Sequence, residues 1–203
     1  RSTGLKVDED IAKKFACFGG LLNIDEIENI EKTWKQVAKL TGIELSSLKN
    51  DIIPLAALYS VAEHSRSLLV AISDGALPSN VGGGYNLRTI FRRAVSFIDK
   101  YKWDITLAEL SKLHAKELKS MFPELLKNIE QVRQIVEVES EKYRATKEKS
   151  RQIISQIIKT DISDSKLLEL YDSHGIVPEM IKIEAEKLGK NVTVPENFYA
   201  QVS

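Results

Sequence analysis

A polar loop and the helix predicted after it hold the side chains best suited to bind a nucleic acid. Asn80 lies in a loop that ends in three glycines at 82–84, and its amide offers both a donor and an acceptor to the edge of a base. Arg88, Arg92 and Arg93 follow without a matched acidic neighbour in the sequence, and arginine forms strong paired hydrogen bonds with phosphate. The simpler alternatives are a turn residue for Asn80 and a solvated helix face for the arginines.

A second polar position, Asp172, lies much further along the chain. It falls in the segment 170–175, where Gly175 ends one helical pattern and Pro178 begins the next. A carboxylate near the C-terminus of a helix is mildly unfavourable with the helix dipole, which indicates a role other than helix stability. An ordinary turn residue is the alternative at this position.

Other kinds of site find little support in the sequence. Cys17 is the only cysteine, so no intrachain disulfide can form, which fits a reducing, cytosolic compartment. With one cysteine and the histidines His64, His114 and His174, a closed zinc site is not expected. The glycine run lacks the Gly-Lys-Ser/Thr ending of a phosphate-binding P-loop, and no catalytic triad can be defended. We therefore expect the histidines to make structural hydrogen bonds rather than to catalyse a reaction.

The composition of the chain is that of an ordinary globular protein. Its 203 residues suffice for one large domain or two small ones, and 43% of them are apolar. Lys plus Arg equals Asp plus Glu at 29 each, so net charge predicts no nucleic-acid partner, although binding follows the local field. That field is positive along 82–103, where five basic residues accompany one acidic residue. No apolar run reaches the length of a membrane span, so no membrane partner is expected.

Helical periodicity predicts a helix on each side of the loop that carries Asn80. The segment 62–73 forms one predicted helical arm, Gly75 ends it, and a second arm follows the glycine run. The apolar residues of the second arm fall on one face at helical spacing, namely Leu87, Phe91, Ala94, Val95 and Ile98. Tyr85 shares another face with Arg88 and Arg92.

The first half of the chain contains further helical patterns. Asp25 opens a helix whose apolar face includes Trp34, a residue expected to pack in a core or between lobes. Leu45 begins a short helix or turn, and Pro54 precedes a separate apolar run that leads into the arm at 62–73.

The second half is also helical in pattern. Thr106 and Glu109 have the spacing of a capping box, and a long helix with a charged middle follows Pro123 up to about Lys159.

No convincing strand alternation appears in the sequence. The predicted fold class is therefore all-α, a helical bundle of two lobes with one long helix and little or no strand. The predicted domains are 1–122, which carries the Asn80 loop, and 123–203, which carries the segment 170–175.

A run of residues around Asn80 resembles the tRNA-recognition region of alanyl-tRNA synthetases. The matching positions are Asp74-Gly75, Pro78-Ser79-Asn80, Gly84-Tyr85, Leu87-Arg88 and Arg92-Arg93-Ala94-Val95. Gly83 and Thr89 depart from the commoner form, which often has arginine at both places. The segment 170–175 is similar to a second signature of these enzymes, and 194–199 is similar to their archaeal form.

The resemblance implies that the chain is a tRNA-recognition fragment of an alanine-tRNA ligase, which its start at Arg1 without a methionine also favours. Its partners would be the acceptor stem of tRNA(Ala) and the catalytic and editing domains of the same parent chain. The fragment alone would be inactive and need no cofactor. The parent enzyme would use ATP and Mg for catalysis and zinc in its editing domain. The expected location is the cytoplasm.

The same resemblance assigns roles to individual residues. Asn80 and Asp172 would approach the G·U wobble pair that identifies tRNA for alanine. In that pair the 2-amino group of guanine has no partner in the minor groove, and a carboxylate can accept a hydrogen bond from it. Two of the three arginines would hold the backbone of the stem, and Tyr85 would be either a core residue or a contact to a ribose. The alternative function is a non-catalytic, all-helical protein-interaction module.

Overall fold

The computed structural model describes residues 3–19, 30–157, 163–174, 176, 178–187 and 189–193. Helices account for the regular structure in these ranges, where no strand occurs, and this confirms the predicted all-α class. The helices are α1 (Glu9–Ala16), α2 (Ile30–Thr41), α3 (Leu45–Ser73), α4 (Gly82–Tyr101), α5 (Leu107–Glu117), α6 (Glu124–Lys127), α7 (Ile129–Ile157), α8 (Asp164–His174) and α9 (Pro178–Lys187). Asp25, the predicted start of the second helix, lies outside the described ranges.

The chain divides into two compact units, 1–139 and 140–203, and the boundary lies inside α7. The predicted boundary at 122–123 instead falls within the first unit. Helix α6 packs against both α3 and α5, so the residues that follow Pro123 continue the first unit. Periodicity could not indicate this, because it identifies a helix without identifying the neighbours that the helix touches.

Helix α3 runs through Pro54, whereas the sequence predicted a short element followed by a separate one. Proline inside a helix removes a backbone donor and normally kinks or ends the helix. Here the turns on both sides bury apolar side chains, Leu48 and Ile52 before the proline and Ala57 and Val61 after it. The packing of both halves therefore outweighs the local signal.

Each unit contains a cluster of buried apolar side chains. In the first unit Phe15 stacks on Trp34 with the ring centroids 6.1 Å apart, which confirms the packing role predicted for this tryptophan. The buried members of that cluster are Trp34, Val37, Ala38, Leu48 and Ile52. The buried members of the cluster in the second unit are Ile154, Leu167, Leu170, Ile176, Ile181 and Ala185.

Helix α5 begins with the predicted capping box and is joined to α3 by a histidine. Thr106 Oγ1 accepts a hydrogen bond from the backbone N–H of Glu109, and the Glu109 carboxylate accepts one from the backbone N–H of Thr106. His114 Nε2 lies 3.0 Å from the carbonyl oxygen of Ala62 and 3.1 Å from Ser65 Oγ. This histidine therefore has the structural role expected of it.

The long helix begins at Ile129 rather than directly after Pro123, because α6 ends at Lys127 and Asn128 separates the two. The Asn128 side chain donates a hydrogen bond of 3.2 Å to the carbonyl oxygen of Ser73, the last residue of α3. This bond ties the start of α7 to the end of α3, immediately before the loop that carries Asn80. The predicted end of the helix near Lys159 lies outside the described residues.

Candidate nucleic-acid interface

The loop between α3 and α4 comprises residues 74–81 and carries Asn80 near its end. Gly75 follows the C-cap residue Asp74 and has a φ of 92°, a conformation that glycine adopts without strain. The predicted end of this helix is therefore confirmed. The three glycines at 82–84 form the first turn of α4, whereas the sequence placed them in the loop.

The loop folds back tightly on the first turn of α4. The backbone N–H of Ser79 donates a hydrogen bond of 3.0 Å to the carbonyl oxygen of Gly84. A Cβ atom on Gly84 would lie 2.5 Å from the carbonyl oxygen of Leu77 and closer still to Ser79 Oγ. Gly83, by contrast, has open space where a Cβ would stand. Gly84 is therefore required by the packing of the loop, and Gly82 is favoured by its φ of 57°, a conformation that other residues rarely adopt.

Arg88 joins the loop to α7. Its Nε and Nη2 donate to the two carboxylate oxygens of Glu139 at 3.1 Å each, and Nη2 also lies 3.3 Å from the carbonyl oxygen of Pro78. Its Nη1 donates to Asn80 Oδ1. The Arg88 side chain is 16% exposed and that of Glu139 only 6%. The expectation that all three arginines lack an acidic partner is therefore wrong for Arg88.

Arg92 and Arg93 differ from Arg88 in having no partner among the residues that the structure describes. Neither makes a hydrogen bond or an ion pair with the residues that the structure describes, and Arg93 is exposed while Arg92 is half-buried. Tyr85 is 54% exposed, which excludes the core position that the sequence left open for it. Among the described residues, helix α4 thus offers two arginines without an acidic partner and an exposed aromatic ring.

The pKa of His64, a residue of α3, is lowered by its surroundings, which include the charge of Arg93. Burial lowers the pKa of its imidazole, and the charge of Arg93 lowers it further, while Glu63 acts in the opposite direction. Its Nε2 is buried and has no hydrogen-bond partner in the described residues, so the structural hydrogen bond expected of this histidine is not made at Nε2. A neutral ring at neutral pH satisfies these surroundings, because a proton on Nε2 would have no acceptor.

The lowered pKa of His64 predicts a loss of stability in mild acid. The unfolded chain binds this proton first, so the contribution of the neutral ring is complete above the unfolded pKa and is lost as the pH falls toward the folded pKa. Acidification from about pH 8 to about pH 5.5 should therefore lower the free energy of unfolding more in the natural protein than in a His64→Gln variant. Urea titrations at both pH values measure this difference. Equal losses in the two proteins would contradict it.

Asp172 lies in the last turn of α8, in the second unit. Its side chain, like Gly175 and the end of the chain at 194–203, lies outside the described part of the structure. The role predicted for this carboxylate therefore stays a prediction.

The described ranges hold no group of three or more His, Cys, Asp or Glu side chains placed to bind a metal ion. No helix within those ranges is both long enough and apolar enough to cross a bilayer. The expectations about cofactors and about the cytoplasm stay predictions.

Sequence reasoning missed Glu139 as part of this interface. The residue lies in the charged middle of the long helix, 51 positions after Arg88, and its sequence neighbours give no sign of the pairing. The only signal in the sequence was the charged middle predicted for the long helix. A lone acid in a charged helix is usually solvated, so the signal was too weak to single it out.

Comparison with known proteins defines the class to which this fold and loop belong. The family model described as tRNA synthetases class II (A) matches residues 7–203, so the chain belongs to the class II tRNA synthetase family. Within that family it is similar to proteins named alanine–tRNA ligase. It is 46% identical to the ligase of Methanocella arvoryzae over 202 residues, which cover 98% of this chain and 22% of the ligase.

Two further relatives agree with this placement. The alanine–tRNA ligase of Caldivirga maquilingensis is 36% identical over 198 residues, and that of Pyrococcus abyssi is 33% identical over 205 residues. Each match covers 98% of this chain and 22% of the ligase. The chain thus spans about a fifth of the length of the curated relatives that it matches.

Proposed function

We propose that this chain is the tRNA-recognition part of an alanine-tRNA ligase. It binds the acceptor stem of tRNA(Ala) and reads its G·U wobble pair, so that a catalytic domain of the same parent chain can attach alanine with ATP. The observation that carries the proposal is the placement of Asn80 on a tightly folded loop that leads directly into α4, the helix that carries the two uncommitted arginines. The family membership of the chain and the names of its relatives support it.

The two polar residues divide the recognition of the base pair between them. Asp172 offers an acceptor to the 2-amino group of guanine, which adenine lacks. Asn80, a residue of the first unit, contacts the same pair through its side-chain amide. A good contact to a base edge contributes about 1–3 kcal/mol of discrimination, which corresponds to roughly 5- to 150-fold in the equilibrium constant.

The side chains of α4 supply affinity without sequence preference. Arg92 and Arg93 bind phosphates of the stem, because no acidic side chain in the described residues neutralises them. Tyr85, exposed on the same helix, contacts a ribose. Such binding weakens steeply as salt rises, since each neutralised phosphate releases counterions.

A direct binding measurement tests this function. Fluorescently labelled acceptor-stem hairpins that differ only in carrying a G·U or a G·C pair are titrated with the 203-residue chain at low salt. We expect binding to both hairpins, tighter for G·U, and loss of affinity as salt is added. A protein-interaction module would bind neither hairpin, and equal affinity for the two would contradict the reading of the wobble pair.

Substitutions in the full-length ligase test the two recognition residues. Asn80→Ala and Asp172→Ala should each lower the rate of alanine attachment to wobble-containing tRNA by roughly 5- to 150-fold. The matched controls are Asn86→Ala, an exposed asparagine of α4, and Glu169→Ala, an exposed acid of α8 paired with Lys166. Both controls should charge tRNA normally. A decrease of less than several-fold at Asn80 or Asp172 would refute the role of that residue.

A further inference from the structure

We infer that Arg88 is a positioning residue: with Glu139 it fixes the side-chain amide of Asn80, so that Asn80 offers its NH₂ group, a donor, to the RNA. This inference rests on the proposed function. It separates Arg88 from Arg92 and Arg93, which bind phosphate, and it specifies the chemistry that Asn80 can read.

The orientation of the Asn80 amide follows from the chemistry of its partner. A guanidinium group has only donors, so the atom of Asn80 that faces Arg88 Nη1 must be the oxygen. The NH₂ group of Asn80 has no partner among the described residues. It is therefore the group left to meet a ligand, and the base atom that it meets is an acceptor.

Arg88 is committed to the protein at each of its three nitrogens. Its Nε and Nη2 hold the two oxygens of Glu139, Nη2 also reaches the carbonyl oxygen of Pro78, and Nη1 holds Asn80. Because both charged side chains are largely buried, moving Arg88 toward a phosphate would break its two hydrogen bonds to the Glu139 carboxylate and separate two charges that are largely removed from water. Arg88 is therefore unsuited to hold the RNA backbone.

The fork geometry of arginine suits this task. Two parallel bonds to a carboxylate fix the plane of the guanidinium group, and the remaining nitrogen then points in a defined direction. Because Glu139 lies on α7, the position of the Asn80 amide is set by a helix far from the loop in sequence. Holding the amide before the ligand arrives reduces the ordering cost of binding.

The experiment uses a variant that removes both members of the buried pair, Arg88→Gln with Glu139→Gln, so that net charge is unchanged. The matched control is Arg133→Gln with Glu137→Gln, an ion pair on the exposed surface of the same helix α7. Both proteins are titrated with the G·U and G·C hairpins over a series of salt concentrations.

Positioning predicts that the double variant loses its preference for G·U by roughly tenfold, while its affinity for G·C and its salt dependence stay the same. The control variant, Arg133→Gln with Glu137→Gln, should have the G·U preference, the affinity and the salt dependence of the natural chain. If Arg88 bound phosphate, affinity for both hairpins would fall equally, and the slope of log K against log salt would shrink by about one. That result would overturn the inference and leave the proposed function standing.

A second measurement without RNA separates the inference from the proposed function. The Asn80 NH₂ protons, assigned by their loss in Asn80→Asp, should be well dispersed in the NMR spectrum of the free chain and should collapse toward free-amide shifts in the double variant. Unchanged signals would overturn the inference. A shift of these signals in a chain with no G·U preference would instead support the positioning and refute the proposed function.

A further variant covers the case in which the double variant does not fold. Arg88→Lys keeps a cation beside Glu139, but an ammonium cannot hold that carboxylate and Asn80 in a fixed plane. It should lose the G·U preference with its salt dependence unchanged. A full preference in Arg88→Lys would overturn the inference.

Discussion

Replacing Gly84 with alanine is expected to abolish the preference of the chain for the G·U hairpin. The new methyl group would stand 2.5 Å from the carbonyl oxygen of Leu77 and closer still to Ser79 Oγ, so the loop must move away from α4. This movement breaks the bond between the Ser79 N–H and the Gly84 carbonyl and carries Asn80 away from Arg88. Overpacking of this kind lowers the free energy of unfolding by about 1–3 kcal/mol, while the proposed phosphate contacts of α4 should be retained.

The neighbouring glycine provides the control for Gly84. Gly83 lies in the same helical turn with open space around the position of a Cβ, so Gly83→Ala should keep the G·U preference. It should leave stability unchanged or raise it by up to about 1 kcal/mol, because alanine favours a helix over glycine. Hairpin titrations and urea unfolding of the two variants are the measurements. If Gly84→Ala keeps the full preference for the G·U over the G·C hairpin, that preference does not depend on the observed packing of the loop against α4.

Phe91→Ala is expected to lower the free energy of unfolding by about 3–5 kcal/mol, the largest effect on stability among these substitutions. Phe91 is 1% exposed on the face of α4 that packs against α3. Its removal leaves a cavity beneath the helix that carries every arginine of the proposed interface. Urea unfolding followed by tryptophan fluorescence reports on this unit alone, because Trp34 and Trp103, the only tryptophans, both lie in it.

Tyr85→Ala is the counterpart at an exposed position of the same helix. Because this ring is largely exposed, its loss should change stability by less than about 0.5 kcal/mol but weaken binding of both hairpins equally. The two substitutions thus separate the packing of α4 on its own unit, which Phe91 supports, from the proposed contact of Tyr85 with RNA. A destabilised Tyr85→Ala, or a Phe91→Ala chain as stable as the natural one, would contradict the packing described for α4.

The sequence alone determined the features that depend on neighbours within a few residues. The all-α class follows from apolar spacing, and the capping box of Thr106 with Glu109 formed as its spacing predicted. Gly75 ended α3 for an equally local reason, its tolerance of a positive φ. Such signals are readable because the interacting groups lie in one turn of the chain.

The tertiary structure alone decided which local signals were overridden and which side chains of the candidate interface are paired. Pro54 remained inside α3 because apolar packing on both sides outweighed its missing N–H. Gly84 is required because a segment of the loop lies against it, and Arg88 is committed because Glu139 reaches it from α7. These decisions depend on distances through space between segments far apart in sequence, and no periodicity or local propensity encodes those distances.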